Sequence, residues 1–354
     1  MGYEVNTYVR WDYPDFLLWY ESNEMIRPLF KSQASIPKFF NGIRLLYLCI
    51  TSECIVSLGS VIGGKYGFII SKVFGRKQIC IISSCALEAR MSTWIAETYG
   101  RLCSNCGLRK NNKAYCGNQE SDARLKAREL YSIGEITSGA IPFTEVPNET
   151  AIPFISCATD YFNPAIDIPV EWKIDKKDDF IYIIHSYAAD SNRLDNDELN
   201  PIKGTSAILA AVDKLRDEGY KIEIINPTKV HQKNMRFLQV QADFCVDELL
   251  YGWWGSTPLE CAALGVPTIL HLDPIFVRHW KQNFPHLADL IPFYNATPVT
   301  IYEAIKKLCD SPELRRELSA KSLRFAEEFL DPHKNAKGII DVIDNASRYN
   351  VTRI

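Results

Sequence analysis

Between Gly252 and Leu270 the chain reads GWWGSTPLECAALGVPTIL, an aromatic turn followed by an apolar run that holds one acid, Glu260. The spacing predicts a helix beginning near Pro258, with Glu260 in its first turn. A helix start presents free N–H groups and the positive end of the helix dipole, a setting that suits a phosphate. Gly255 lets the backbone approach a ligand closely, while Ser256 and Thr257 add N–H and hydroxyl donors just before the helix. Glu260 has the chemistry to accept hydrogen bonds from a pair of sugar hydroxyls. An acid at that place also offsets the dipole, for about 0.3–1 kcal/mol, and spacing alone does not separate the two roles.

Such residues need elements to hold them, and from about residue 175 the pattern supplies these. The segment DDFIYIIHSY reads as a strand and the loop AADSNRLDNDELNP leads from it into KGTSAILAAVDKLRDEGY, whose Ile208, Leu209, Ala211, Val212 and Leu215 recur at helical spacing. Gly219 stands where that helix stops. KIEIINP then reads as a strand, MRFLQVQ as a helix fragment, DFCVDELL as a strand with its exit, PLECAALGV as a helix and PTILHL as a strand. Alternation of this kind indicates a doubly wound parallel sheet, in which ligands bind beyond the carboxyl ends of the strands. His185, Lys203 and Glu260 all fall just after strands or at helix starts.

The first half is less regular. EVNTYV, ECIVSL and QICIIS read as strands and SDARLKARELYSIG as a helix, and the proline-bearing YFNPAIDIPVEWK is the expected linker between two domains. From Val299 the chain is helical, with Ser311, Pro312 and Glu313 forming a cap, a first-turn proline and an acid near the positive dipole end. A chain of 354 residues exceeds the size at which one core usually stops growing, so two domains are expected. The formal charge of −3 gives no electrostatic footprint for nucleic acid. Eleven cysteines and the lack of a secretory pattern in MGYEVNTYVRWDYPDF predict a reducing compartment, the cytoplasm or the inner face of its membrane. The apolar stretch from Leu45 to Ile70 is interrupted by Glu53, Lys65 and four glycines, so it is read as buried strand and helix rather than a membrane span.

Taken together, KGT opening one helix, the Ala-Asp-x-x-Val strand from Ala242 to Val246, and GWWGSTPLECAALGVP resemble the donor-binding half of retaining glycosyltransferases of the family-4 type. The resemblance covers about residues 178–345. It implies an α/β GT-B fold, two Rossmann-like doubly wound domains facing a cleft. The acceptor-side domain would span 1–170 and the nucleotide-sugar domain 171–327, with a last helix at 328–354 crossing back to the first domain. It also implies transfer of a sugar, with retention, from a UDP- or GDP-sugar to a glycan or lipid-linked acceptor, as in surface polysaccharide synthesis. Peripheral association with a membrane is an accompanying expectation. In that family the motif is Glu-x7-Glu: the second Glu matches Glu260 and would bind the ribose, and the intervening glycine matches Gly255, whose neighbours would meet the diphosphate. The first Glu falls on Gly252, a departure that leaves two readings: replacement by Asp247 or Glu248, or a donor sugar held differently.

The resemblance places Lys203, followed by Gly204, at the donor diphosphate, where a fixed cation stabilises the charge that develops on the departing nucleoside diphosphate. Lys203 and Glu260 are thereby marked as the catalytic pair, and His185 as a donor-side candidate beside a structural alternative. Arg193 would join only if its loop folds back. Glu88 and Arg90 fit part of an Asp-x-Arg pattern on the acceptor side, and a structural ion pair is the other reading. The acceptor hydroxyl would lose its proton to the departing phosphate, so no separate base and no cofactor is required. Cys103, Cys106 and Cys116 supply three of the four ligands of a structural zinc, with Cys80, Cys85 or a histidine as the fourth, and free thiols are the alternative. In the resembled family a strand, a Gly-rich turn and a helix precede a segment like GYEVNTYV, which stands here at residue 2, so the expectation is a first domain that lacks its first strand and helix or is rebuilt. The alternatives to a transferase are a nucleotide-sugar epimerase of the same fold and a non-catalytic nucleotide- or glycan-binding relative.

Overall fold

In a computed structural model, residues 7–9, 26–28, 43, 46–47, 49–58, 62, 66–82, 126–127, 130–132, 134–137, 149–151, 159–185, 203–227, 230, 232–250 and 252–349 are described. The second half carries a five-stranded sheet: β7 (Ile181–Ile184), β8 (Ile222–Ile225), β9 (Phe244–Val246), β10 (Thr268–Leu270) and β11 (Tyr294–Asn295). Their spatial order is β11-β10-β9-β7-β8, and every pairing is parallel. The chain therefore leaves β7 for β8 on one side and returns to β9 on the other. That reversal creates the crevice in which α/β sheets of this order hold ligands.

Short apolar runs form these strands because both faces are covered. Ile183, Phe244, Val246 and Ile269 share one core with Ile208, Val212 and Leu215 of α1 (Thr205–Asp217) and with Ile301, Ile305 and Leu308 of α5 (Ile301–Asp310). Their strand neighbours Ile184, Cys245 and Leu270 face the opposite core. That core holds α3 (Ser256–Ala263), α4 (Pro274–Asn283) and α6 (Pro312–Phe329). Alternate residues serving opposite layers are what a period of two requires of a buried strand. Between the strands, α2 (Gln232–Gln239) connects β8 to β9. Ser311 caps α6 as its sequence signals, accepting a hydrogen bond from the Leu314 N–H at 3.1 Å.

The first half holds a parallel four-stranded sheet in the order β3 (Cys54–Leu58), β4 (Lys77–Ile82), β5 (Gly134–Thr137) and β6 (Glu149–Ala151). A separate parallel pair joins β1 (Thr7–Val9) to β2 (Ile26–Pro28). The proline-bearing connection is not a loose tether. Phe162 is fully buried in the second core, and Gln241 accepts from the Ile174 N–H and donates to the Trp172 carbonyl, both at 2.9 Å. The Arg236 guanidinium lies 3.4 Å from the Tyr161 ring centroid, so packing with the second sheet begins before residue 171. At the other end, α7 (Pro332–Tyr349) sets Val342 against Ile79 of β4.

Candidate functional site at the strand reversal

The end of β7 and the exit of β9 meet where the strand order reverses. His185, the residue after β7, is fully buried, and its Nδ1 lies 2.7 Å from the Val246 carbonyl oxygen. A carbonyl only accepts, so Nδ1 carries the proton and Nε2 accepts from the Thr205 hydroxyl at 3.0 Å. Burial holds the imidazole neutral, with its pKa lowered to about 4. Both ring nitrogens are thus committed inside the fold, and His185 ties β7, β9 and the first turn of α1 together rather than presenting a donor to a phosphate.

Lys203 sits just before α1 and is also buried. Its ammonium lies 2.8 Å from an Asp247 carboxylate oxygen, 44 positions away at the exit of β9. The Leu249 N–H donates to the Lys203 carbonyl at 3.1 Å. Gly204 has φ +74°, and a Cβ there would come within 3.1 Å of the Leu249 side chain. The turn before α1 and the loop 247–255 are therefore clasped by an ion pair, a backbone hydrogen bond and a close glycine contact. Asp247, offered as a replacement for the absent acid of the motif, is instead the partner of Lys203.

Helix α3 begins at Ser256, two residues earlier than its sequence suggests, so Ser256 and Thr257 lie in its first turn and Glu260 in its second. Gly255 is its cap and supplies no side chain, and Ser256 is exposed. Glu260 is buried to 6% exposure, and its Oε2 accepts from the Gln239 amide at 2.9 Å. Gln239 is fully buried, and its own carbonyl Oε1 has no hydrogen-bond partner among the described residues. Beneath this pair, Cys261 hydrogen-bonds Cys245. That bond, burial and the nearby acids Glu260 and Asp247 push the Cys261 thiol well above its ordinary range, so it is no nucleophile.

The aromatic turn explains how α3 is held. Trp254 is buried with ring centroids 4.7 Å from Phe276, 5.7 Å from Trp280 and 5.4 Å from Phe293. Such edge and tilted contacts fix one rotamer and, with it, the position of Gly255. Gly252 has φ +81°, and a Cβ there would stand 2.8 Å from Cβ of Asp273. No acid fits at this place. The carboxylate beside it is Asp273, which caps α4 by accepting from the Ile275 N–H at 2.7 Å, and Glu248 stands by the next glycine, its Oε1 3.5 Å from where a Gly255 Cβ would be. His271 donates its backbone N–H to the Glu248 carbonyl at 2.9 Å, and its Nδ1 is buried without a partner among the described residues. Gln239, His271 and Asp273 are absent from the sequence reading; His271 and Asp273 just after a strand carried the positional signal that could have found them.

Glu88, Arg90, Arg193, Cys103, Cys106 and Cys116 lie outside the described residues. Among the described residues no group of three or more His, Cys, Asp or Glu side chains is arranged to hold a metal ion, and no helix is long and apolar enough to cross a membrane.

No protein-family model and no curated protein sequence matches the chain. Solved structures do. The structure of a protein named as a putative UDP-N-acetylglucosamine 2-epimerase from Listeria monocytogenes superposes with a TM-score of 0.51 at 10% identity, over 95% of this chain and 86% of that one. Sucrose-phosphate synthase from Thermosynechococcus elongatus gives 0.49 at 14% identity, over 88% and 78% of the two chains. WaaG, a glycosyltransferase involved in lipopolysaccharide biosynthesis, gives 0.46 at 11%, over 90% and 86%. The chain has the α/β GT-B fold of two Rossmann-like parallel-sheet units.

Proposed function

We propose that the chain is a glycosyltransferase that moves a sugar from a nucleotide diphosphate sugar to a glycan or lipid-linked acceptor, with retention, in cell-surface polysaccharide synthesis. The observation that carries this reading is the clasp at the strand reversal. A buried lysine, Lys203, is fixed by Asp247 against the same loop that ends in the Gly255 cradle of α3. A cation and a row of helix N–H groups tied to one loop can share the two phosphates of a donor. In the proposed reaction the bond from the anomeric carbon to the phosphate oxygen breaks and the acceptor oxygen bonds to that carbon on the same face. The hydroxyl proton passes to the departing phosphate. Glu260, held by Gln239, takes the ribose, and Glu248 is the acid best placed to face the donor sugar in the absence of one at 252.

The resident partner of Lys203 determines how the role must be tested. Removing the lysine alone strands a buried carboxylate, which costs about 3–5 kcal/mol of stability. The paired variant Lys203→Gln with Asp247→Asn avoids that cost. It should stay folded while kcat falls about 10²- to 10³-fold, the effect of deleting one preorganised electrostatic donor. An unchanged kcat for whichever sugar donor a screen of nucleoside diphosphates and their sugars identifies would remove Lys203 from the mechanism.

A second reading, nucleotide-sugar epimerisation, is favoured by Asp273 standing against Gly252, Glu248 beside Gly255 and the backbone link of His271 to Glu248, which bring acids and an imidazole-bearing residue to one loop, since inversion of a sugar centre needs acids and bases beside it. Incubation with donors in the absence of acceptor separates the two. An epimerase converts one nucleotide sugar into another, and a transferase leaves the sugar intact or hydrolyses it slowly.

A further inference from the structure

Four strands of the second sheet are followed at once by a polar residue: His185 after β7, Asn226 after β8, Asp247 after β9 and His271 after β10. All four stand at the carboxyl edge, where a sheet of this order holds its ligands. Two of the side chains are spent on the fold. Both ring nitrogens of His185 are engaged, by the Val246 carbonyl and the Thr205 hydroxyl, and Asp247 holds the Lys203 ammonium. Each of the other two keeps an unused atom. Asn226 Oδ1 and His271 Nδ1 are buried and have no hydrogen-bond partner among the described residues. In the order β10-β9-β7-β8 they stand at the two outer positions, with the Lys203–Asp247 clasp between them. Neighbouring strands lie about 4.8 Å apart, so the intervals from β10 to β8 add up to roughly 14 Å. The atoms of Trp280 and Ser322 that also lack a partner belong to the buried faces of α4 and α6, away from this edge. A buried amide oxygen without a donor is rare in a folded chain, and at a ligand-binding edge it calls for a partner from outside the chain.

We infer that the side-chain amide of Asn226 pairs with the nucleobase of the donor and sets which base is taken. This rests on the proposed nucleotide-sugar function, in which the diphosphate lies between Lys203 and the Gly255 cap and the ribose at Glu260. Helix α3 carries the chain outward from β9 to β10, whereas α2, joined to it by the Gln239–Glu260 hydrogen bond, covers the other side, from β8 to β9. The ribose acid therefore faces the β8 side of the cradle, and the base, one unit further from the phosphates, reaches the end of β8. Asn226 is held there beside β7, since the Ile225 carbonyl before it accepts from the His185 N–H at 3.1 Å. The transferred sugar extends the other way, toward β10, where the His271 backbone joins Glu248. An amide offers an acceptor and a donor side by side. Uracil and guanine each carry a ring N–H next to a carbonyl, so either can meet Asn226 with two hydrogen bonds, the ring N–H serving the oxygen that nothing in the described fold serves.

The full chain is titrated with UDP, GDP and their forms methylated on the ring nitrogen, 3-methyl-UDP and 1-methyl-GDP. The nucleotide that binds should bind at least about tenfold more tightly than its methylated form, because a site built around a hydrogen bond rejects the analogue that lacks it. Asn226→Ala should erase that difference, binding both forms as weakly as the wild type binds the methylated one. Its unfolding midpoint without ligand should hold or rise, since the substitution removes a buried acceptor that no donor serves. An asparagine that only secured the strand end would give the reverse, a lowered midpoint with the preference for the unmethylated form intact, and that result overturns the inference. So does equal binding of plain and methylated nucleotide by the wild type, a measurement that needs no variant. Both of these leave the donor function standing, because nucleotide is still bound. Binding of neither UDP nor GDP removes the donor function and the inference together.

Discussion

Gly252 marks the largest departure from the resembled motif, and its geometry makes the departure obligatory. With φ at +81° and only 2.8 Å to Cβ of Asp273, the position rejects any side chain. Gly252→Ala should cost on the order of 1–3 kcal/mol in chemical denaturation. Gly252→Glu, which restores the acid on paper, should destabilise more and raise no activity. His185 supplies a second test at the same scale. Its folded pKa is depressed to about 4 from an ordinary 6.5, so the unfolded chain binds more protons between those values. The stability gained by keeping the ring neutral is complete above pH 6.5 and drains away as pH falls toward 4, on the order of 3 kcal/mol in all. His185→Asn keeps a donor for the Val246 carbonyl but has no proton to take up, so its unfolding free energy should be flatter across that window.

Helix α3 works only if its first turn is held in place, and Trp254 holds it. Trp254→Ala should cost about 3–5 kcal/mol and leave a cavity among Phe276, Trp280 and Phe293. If the cradle depends on this packing, nucleoside diphosphate affinity measured well below the melting temperature should fall too. At the level of elements the sequence was informative wherever periodicity was strong. Strands β7 to β10 and α1 lie where apolar spacing puts them, because alternate strand residues and one face of α1 enter the two cores, whereas the two-residue β11 is too short to show a period. The Asp-Pro start of α4 was equally open to reading, with Phe276, Trp280 and Phe284 at intervals of four. The Lys203–Asp247 pair was not, because it depends on β9 returning beside β7, and strand order leaves no trace in periodicity. Nor was the Gln239–Glu260 hydrogen bond, which depends on α2 packing beside α3.

At the scale of the molecule, two devices join the sheets, and they differ in kind. Residues 159–174 are strapped to the second sheet by Phe162, Gln241 and Arg236, so the connection travels with that unit. Helix α7 continues from the second unit and places Val342, with Ile339 and Ile343 beside it, on Ile79 at the centre of the first sheet's apolar contact. Val342→Asp sets an unpaired charge in that contact, at a cost on the order of 3 kcal/mol. The cost falls on the first unit alone, because neither core of the second sheet includes Val342. Calorimetry should therefore show a lowered transition for the first unit and an unmoved one for the second, still raised by added nucleoside diphosphate. If both transitions drop together, the units unfold as one body and α7 is their coupling. If neither moves, the Val342–Ile79 contact contributes nothing to the first unit, and α7 is no coupling between the two.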